Sequence, residues 1–382
     1  MPTTKIIRTS TVSLPLNRFC EGLLKRLREQ EGYEVIALSS AGKDLDEVAS
    51  REGVRTVAIE MYRRITNPVR DLKSLWGLVK VFRRESPTIV HSITPKAGLL
   101  SMVAAWICRV PIRIHTFTGM VFPTAKGPLR WILMMTDSIT SACATHVIPE
   151  GEGVKEDLIK YHITGKPLRV LGHGNIRGIN LERYNSNISN VRAEAEKIRR
   201  EGIFTFIYVG RLVGDKGINE LVESFSRLNK EFNNTRLLLV GGKEAEYDPL
   251  KLETLEEIVR NPAIEDLGFQ DDVRPFLVAS DVFVFPSYRE GFPNAVIEAG
   301  AMGLPSIVTD INGSREIIMN GVNGVIIPSH SVESLYEAMK YVINYPDEVK
   351  RMANSSRSLI ASRYEQGFVQ QCLIDYYKEI LK

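Results

Sequence analysis

Glu290 and Glu298 lie eight positions apart across Gly291, Phe292, Pro293 and Asn294, and Arg211 and Lys216 lie five apart in YVGRLVGDKG. Pro293 suits the first turn of a helix, where its missing N–H costs nothing, and AVIEAGAM continues that helix until Gly303 and Pro305 stop it. Glu290 then sits in the loop before the helix and Glu298 in its second turn. The helix start between them, at 292 to 295, attracts an anion through its N–H groups and dipole. Arg211 at a strand end engages phosphate oxygens in pairs, and Lys216 adds a point charge. The combined set suits a diphosphate, with the two carboxylates free to hold hydroxyls of attached sugars. Taken singly, the acids read as a cap and a solvated helix residue, and the two cations as ordinary surface ion-pair partners. It is their joint occurrence that favours the anion site.

The elements needed to position these residues are legible around them. EVIALSS, VRTVAIE, TIVHSI, RIHTF and THVIPE read as buried parallel strands, separated by helical patterns in NRFCEGLLKRLREQEG, DLKSLWGLVKVFRRES and PKAGLLSMVAAWICRV. A Gly- and Asn-rich stretch, LGHGNIRGINLERYNSNISN, then leads through the charged helix VRAEAEKIRREG into a second strand series: FTFIYVG, RLLLVGG, AIEDLGF, DVFVFPS, PSIVTD and NGVIIP. The expected architecture is α/β, with two Rossmann-like doubly wound domains. Residues 1–170 form the first, 171–200 a linker whose Gly172, Gly174 and Gly178 shape a hinge, and 201–360 the second. Residues 361–382 form an amphipathic helix that can pack back on the first domain.

Composition sets limits. With 382 residues, 44% of them apolar and 25% charged, the chain is long enough for two globular domains, and its formal charge of +3 gives no argument for nucleic acid. Cys20, Cys108, Cys143 and Cys372 are far apart and among apolar neighbours, as expected of reduced thiols in a cytoplasmic protein. The N-terminal residues lack the apolar core of a signal peptide, and no stretch is long enough to span a membrane. Asp44 and Asp46 in KDLDEV have the spacing of a metal-binding acid pair but fall at a helix start, where acids favour the dipole, so no metal is expected. From 55 to 84, Arg55, Arg63, Arg64, Arg70, Lys73, Lys80, Arg83 and Arg84 face only Glu60 and Asp71, and Trp76, Leu78, Val79 and Phe82 interleave with them. This run, with AKGPLRWILMM further on, suits an anionic membrane surface, although a solvated helix face is the plainer reading.

The strand ending at Gly210 and Arg211, then Lys216 and Gly217, with Glu290-Gly-Phe-Pro-Asn and Glu298 about 75 residues on, resembles the donor half of the retaining glycosyltransferases of family 4. The resemblance implies the GT-B fold, two Rossmann-like domains facing across a cleft. It implies that Arg211 and Lys216 hold the donor diphosphate, that Glu298 bonds the nucleotide ribose and that Glu290 lies by the donor sugar, so that Arg211, Lys216 and Glu290 act in catalysis. Backbone amides from Gly291 through Phe292 and Pro293 to Asn294 would meet phosphate and sugar. HSITPKAGLL and HTFTGMVFP resemble a subgroup that builds capsular or O-antigen repeat units on a polyprenyl diphosphate carrier. There His91, Lys96, Thr118 and Gly119 line the acceptor side. The chain departs from relatives in having RTSTVSLPLNRF in place of a Gly-Gly loop, and His115 three residues before Thr118, the position where they often carry histidine.

The expected activity is a metal- and cofactor-independent transfer, with retention, of a hexose or N-acetylhexosamine from a UDP-sugar to a lipid-linked saccharide. The expected location is the inner face of the cytoplasmic membrane, held peripherally. A nicotinamide dehydrogenase would need G-x-G-x-x-G after the first strand, which is lacking. A glycoside hydrolase uses two carboxylates but has no need of diphosphate-binding cations. A GT-B epimerase or hydrolase that shares the nucleotide grip but takes no lipid acceptor remains the alternative.

Overall fold

A computed structural model describes residues 4–62, 68–244 and 248–382. The chain divides into one unit of Met1–Gly178 with Gly367–Lys382, and another of Ile179–Gln366.

The first unit is built on strands β1 (Lys5–Thr9), β2 (Glu34–Ser39), β3 (Arg55–Ala58), β4 (Ile89–Ser92), β5 (Ile112–Phe117) and β6 (His146–Pro149). They are ordered β3-β2-β1-β4-β5-β6 with every pairing parallel. Ile6, Ile7, Ile36, Leu38 and Val90 are wholly buried, as continuous apolar runs must be when helices cover both faces. NRFCEGLLKRLREQEG forms two helices, Ser13–Phe19 and Leu23–Glu29, because Gly22 turns left-handed (φ +75°) and the buried Glu52 carboxylate accepts from the backbone N–H groups of Gly22 and Lys25. Asp44 and Asp46 lie in the first turn of the helix Lys43–Glu52, and Asp44 accepts from Asn17 at 3.0 Å.

The second unit repeats the plan with β7 (Phe204–Val209), β8 (Thr235–Val240), β9 (Ile264–Asp266), β10 (Val282–Phe285), β11 (Ser306–Thr309) and β12 (Gly324–Ile327). The order is β12-β11-β10-β7-β8-β9, again parallel. The chain builds outward from β7 to β9, then returns to lay β10 on the other side of β7. The carboxyl ends of β7 and β10 therefore flank the crevice where doubly wound sheets bind ligands.

Two expectations need correction. Residues 171–200 are not a linker throughout: the boundary falls after Gly178, and the segment from Ile179 onward belongs to the second unit's core. Ile179 donates to the Tyr364 carbonyl at 2.7 Å, and Tyr184, Val191 and Ala195 are buried. The basic run is not one surface either. Leu78, Val79 and Phe82 are core residues, Arg55 is tied to Glu34 and Glu85, and Arg63 and Arg64 lie outside the described residues. Among the described residues no helix is long and apolar enough to cross a membrane.

Candidate active site

The two halves of the charged motif meet at the crevice between β7 and β10. After β7 the chain passes through Gly210 and Arg211 into a 3-10 turn, Gly214–Lys216, and then the helix Ile218–Glu231. Gly217 (φ +70°) joins turn to helix, and any side chain there would run into the Pro286 carbonyl just past β10. The loops are tied together by Tyr288, whose N–H donates to the Asp215 carbonyl at 2.9 Å, and by Arg289, paired with the Asp215 carboxylate at 3.2 Å.

The Lys216 ammonium is ion-paired with the Glu290 carboxylate, and the two side chains are only 12% and 18% exposed. Ser287 also donates to Glu290, at 3.1 Å. A half-buried pair in a low-dielectric crevice interacts more strongly than one on the surface, and its geometry is fixed from both sides. Arg211 is not brought to Glu290. It is half exposed and bonds Glu244 at 2.7 Å. The carbonyl of Arg211 is held by the Tyr208 hydroxyl at 3.0 Å, and burial, with Glu290 nearby, pushes that phenol well above its ordinary range, so it stays a neutral donor.

Gly291, Phe292 and Pro293 are buried, with Phe292 edge-on to Tyr364 at 5.5 Å. Pro293 stands just before the helix Asn294–Ala301, and Glu298 is half-buried one turn in. Gly313, in the turn after β11, seats this segment from below: its φ is +71°, and a Cβ would come within 2.6 Å of the Gly291 carbonyl. Ser287, Asp215, Arg289, Tyr208 and Gly313 thus shape the site without having been singled out from sequence. For Gly313 a signal existed, an Asn-Gly pair three residues past the end of a strand. For Tyr208 none did, because it looks like any aromatic strand residue.

The acceptor-side residues are distributed differently. His91 and His115 are buried. His91 meets the Tyr377 hydroxyl at 2.6 Å and Thr116 Oγ1 at 2.7 Å, and His115 meets Ser92 Oγ at 2.8 Å. Burial, with Arg8 beside it, holds His91 well below the usual imidazole range, and burial brings His115 down to about 3. Both rings are buried and neutral, held by neighbouring side chains. Lys96 is paired with Asp71, Thr118 donates to the Ile93 carbonyl at 3.3 Å, and Gly119 has φ +108°. These last two lie in the segment just beyond β5, at the carboxyl edge of the first sheet.

The chain is similar to known proteins in sequence and in fold. Residues 191–359 match the model described as glycosyl transferases group 1, and 16–174 match that of a glycosyl transferase 4-like domain. The chain is 32% identical to the capsular polysaccharide biosynthesis glycosyltransferase CapM of Staphylococcus aureus, covering 100% of this chain and 99% of that one. It is 29% identical to the UDP-Gal:alpha-D-GlcNAc-diphosphoundecaprenol alpha-1,3-galactosyltransferase of Escherichia coli, over 75% of this chain and 74% of the relative. Among solved structures, a glycosyltransferase from Rickettsia africae superposes with TM-score 0.81 at 22% identity, each chain fully covered. Anabaena HepE with UDP and glucose gives 0.81 at 16%, covering 98% of this chain and all of that one. These likenesses identify the pair of parallel sheets as the GT-B fold. With a full-length relative at that identity and the charged motif assembled at the switch point of the second sheet, the chain belongs to the family 4 glycosyltransferases.

Proposed function

We propose that the protein transfers a hexose or N-acetylhexosamine from a UDP-sugar to a hydroxyl of a polyprenyl-diphosphate-linked saccharide, with retention at the anomeric carbon, in capsular or O-antigen polysaccharide assembly. The observation that carries the reading is the Lys216–Glu290 pair at the crevice between β7 and β10. In this reading the diphosphate enters beside Lys216 and Arg211, over the start of the helix Asn294–Ala301, with amides of Gly291 to Asn294 on phosphate and sugar and Glu298 on the ribose. As the bond from the anomeric carbon to the diphosphate oxygen breaks, negative charge grows on UDP and the two cations stabilise it. Glu290, released from Lys216 by the incoming phosphates, holds the sugar. Cationic side chains supply the charge that a divalent ion supplies elsewhere, so the reading calls for no metal or cofactor. The relatives named for diphosphoundecaprenol substrates support a lipid-linked acceptor, and with it peripheral work at the inner face of the cytoplasmic membrane.

The test is a panel of labelled UDP-sugars, with and without polyprenyl diphosphate saccharide, scored by mass spectrometry of the lipid product. Product is expected only with acceptor. Consumption of donor without acceptor would point to the epimerase or hydrolase alternative. Lys216→Ala and Arg211→Ala are each expected to lower turnover about 10²- to 10³-fold with an unchanged circular dichroism spectrum. Wild-type turnover in both would sink the assignment.

A further inference from the structure

The chain has three tryptophans, and none is in the core: Trp76, Trp106 and Trp131 are 55%, 59% and 72% exposed. Tryptophan is among the more buried residue types on average, so three exposed copies call for a cause. On the helix Pro68–Glu85, Val69, Leu72 and Trp76 are exposed at spacings of three and four, and Lys80 and Arg83 extend the same stripe. On the helix Gly127–Cys143, Leu129, Trp131, Ile132, Met135 and Ile139 are exposed, while Leu133 and Met134 turn inward onto the core.

Both helices pack on the helix Pro95–Ile107 and so lie in one layer over the first sheet. A helix in a parallel layer starts at the carboxyl edge of the strands. Trp131 falls in the second turn of its helix and Trp76 at the midpoint of its own, which puts both nearer than Trp106 to the edge of the sheet where Thr118 and Gly119 lie. Trp106, in the last turn of its helix, is at the other end. Around the apolar stripes, Lys73, Lys80 and Lys126 are exposed and make no ion pair among the described residues. Exposed indole beside unpaired lysine suits the boundary between lipid headgroups and acyl chains, and positive charge suits anionic headgroups. A second copy of the chain would bring the same lysines against each other.

We propose that the first halves of the helices Pro68–Glu85 and Gly127–Cys143 form a docking face that seats Trp76 and Trp131 at the headgroup boundary of an anionic phospholipid bilayer. For its purpose the inference rests on the proposed lipid-linked acceptor; its geometry rests on the exposed side chains alone. The two are therefore tested apart.

Three full-length variants, each keeping one tryptophan and carrying phenylalanine at the other two positions, are mixed with phosphatidylcholine vesicles. The vesicles contain phosphatidylglycerol or lack it, include lipids brominated along the acyl chains, and hold no sugar substrate. With phosphatidylglycerol, emission from Trp76 and Trp131 is expected to shift to the blue and be quenched, and emission from Trp106 is not. A Trp131→Glu, Met135→Glu variant is expected to lose vesicle partitioning at least tenfold while keeping its melting temperature and UDP affinity. Unquenched Trp131, quenching that needs no anionic lipid, or a concentration-dependent dimer abolished by Trp131→Glu would each overturn the proposal. Quenching without transfer activity would count against the proposed function and leave the docking face standing, and transfer without quenching would do the reverse.

Discussion

His91 and His115 lie on adjacent parallel strands, in register with Arg8 and with Val147; both His91 nitrogens are engaged, by Tyr377 and Thr116, and His115 Nδ1 by Ser92. Both pKa values are lowered on folding, so the folded state binds fewer protons than the unfolded chain below the ordinary imidazole value of about 6.5. The associated stability is complete above that value and is lost as pH falls from there toward about 3 for His115. A single such histidine costs about 2 kcal/mol at pH 5. Urea unfolding at pH 7.5 and pH 5 is expected to show His115→Gln losing less stability across that interval than the parent; equal losses would refute the linkage. Both histidines were legible in sequence as candidates on two buried strands, but the partners that hold their rings were not. The Tyr377 hydroxyl that meets His91 comes from 286 positions away. Lys216 and Glu290 are also distant in sequence, yet each stood beside its own local signal, a strand end for one and a proline-opened helix for the other. Local chemistry can be read along the chain; a partner supplied by a remote helix cannot.

The loops at the crevice owe their shape to elements that carry no charge. Gly313 accepts a left-handed φ and lies so close to Gly291, Phe292 and Pro293 that a methyl group would displace them. Gly303, just past the same helix, also has a left-handed φ (+89°) but open space where its Cβ would be. Alanine at either position incurs about 1–2 kcal/mol of backbone strain, while only Gly313→Ala also moves the segment assigned to phosphate and sugar. The expected result is a fall in melting temperature for both variants, larger for Gly313→Ala, and a loss of UDP affinity of about tenfold or more, equivalent to at least about 1.4 kcal/mol, for Gly313→Ala alone. Isothermal titration with UDP decides it: equal affinities would mean that Gly313 does not set the loop. At this scale the strands were plain from their unbroken apolar runs. The break at Gly22 and the reach of the second unit back to Ile179 were not, because a buried carboxylate and a strand-like bridge to Glu365 decide them.

Two units folded from one chain need not have one stability. The last helix, Gln366–Ile380, comes after the second unit in sequence but belongs to the first, where Leu373, Ile374, Tyr376 and Tyr377 enter a core cluster with Ile6, Leu24 and Ile89. Tyr377 is the costly contact to lose. Its hydroxyl accepts from the buried Arg8 guanidinium at 2.9 Å, and Cys20 is a distant third partner at 3.6 Å after His91. A buried cation cannot recover a lost acceptor from solvent, so Tyr377→Phe is expected to cost about 1–3 kcal/mol. That cost should fall on the first unit alone. In a calorimetric melt the variant is expected to show the first unit's transition moved down and the second unit's in place. Hydrogen exchange should rise over β1 and β4 and hold steady over β7 and β8. Saturating UDP, bound in the proposed function by the second unit, should raise only that unit's transition by mass action, in parent and variant alike. A single transition that shifts as a whole in both experiments would show that the units unfold together, and that the returning helix couples them.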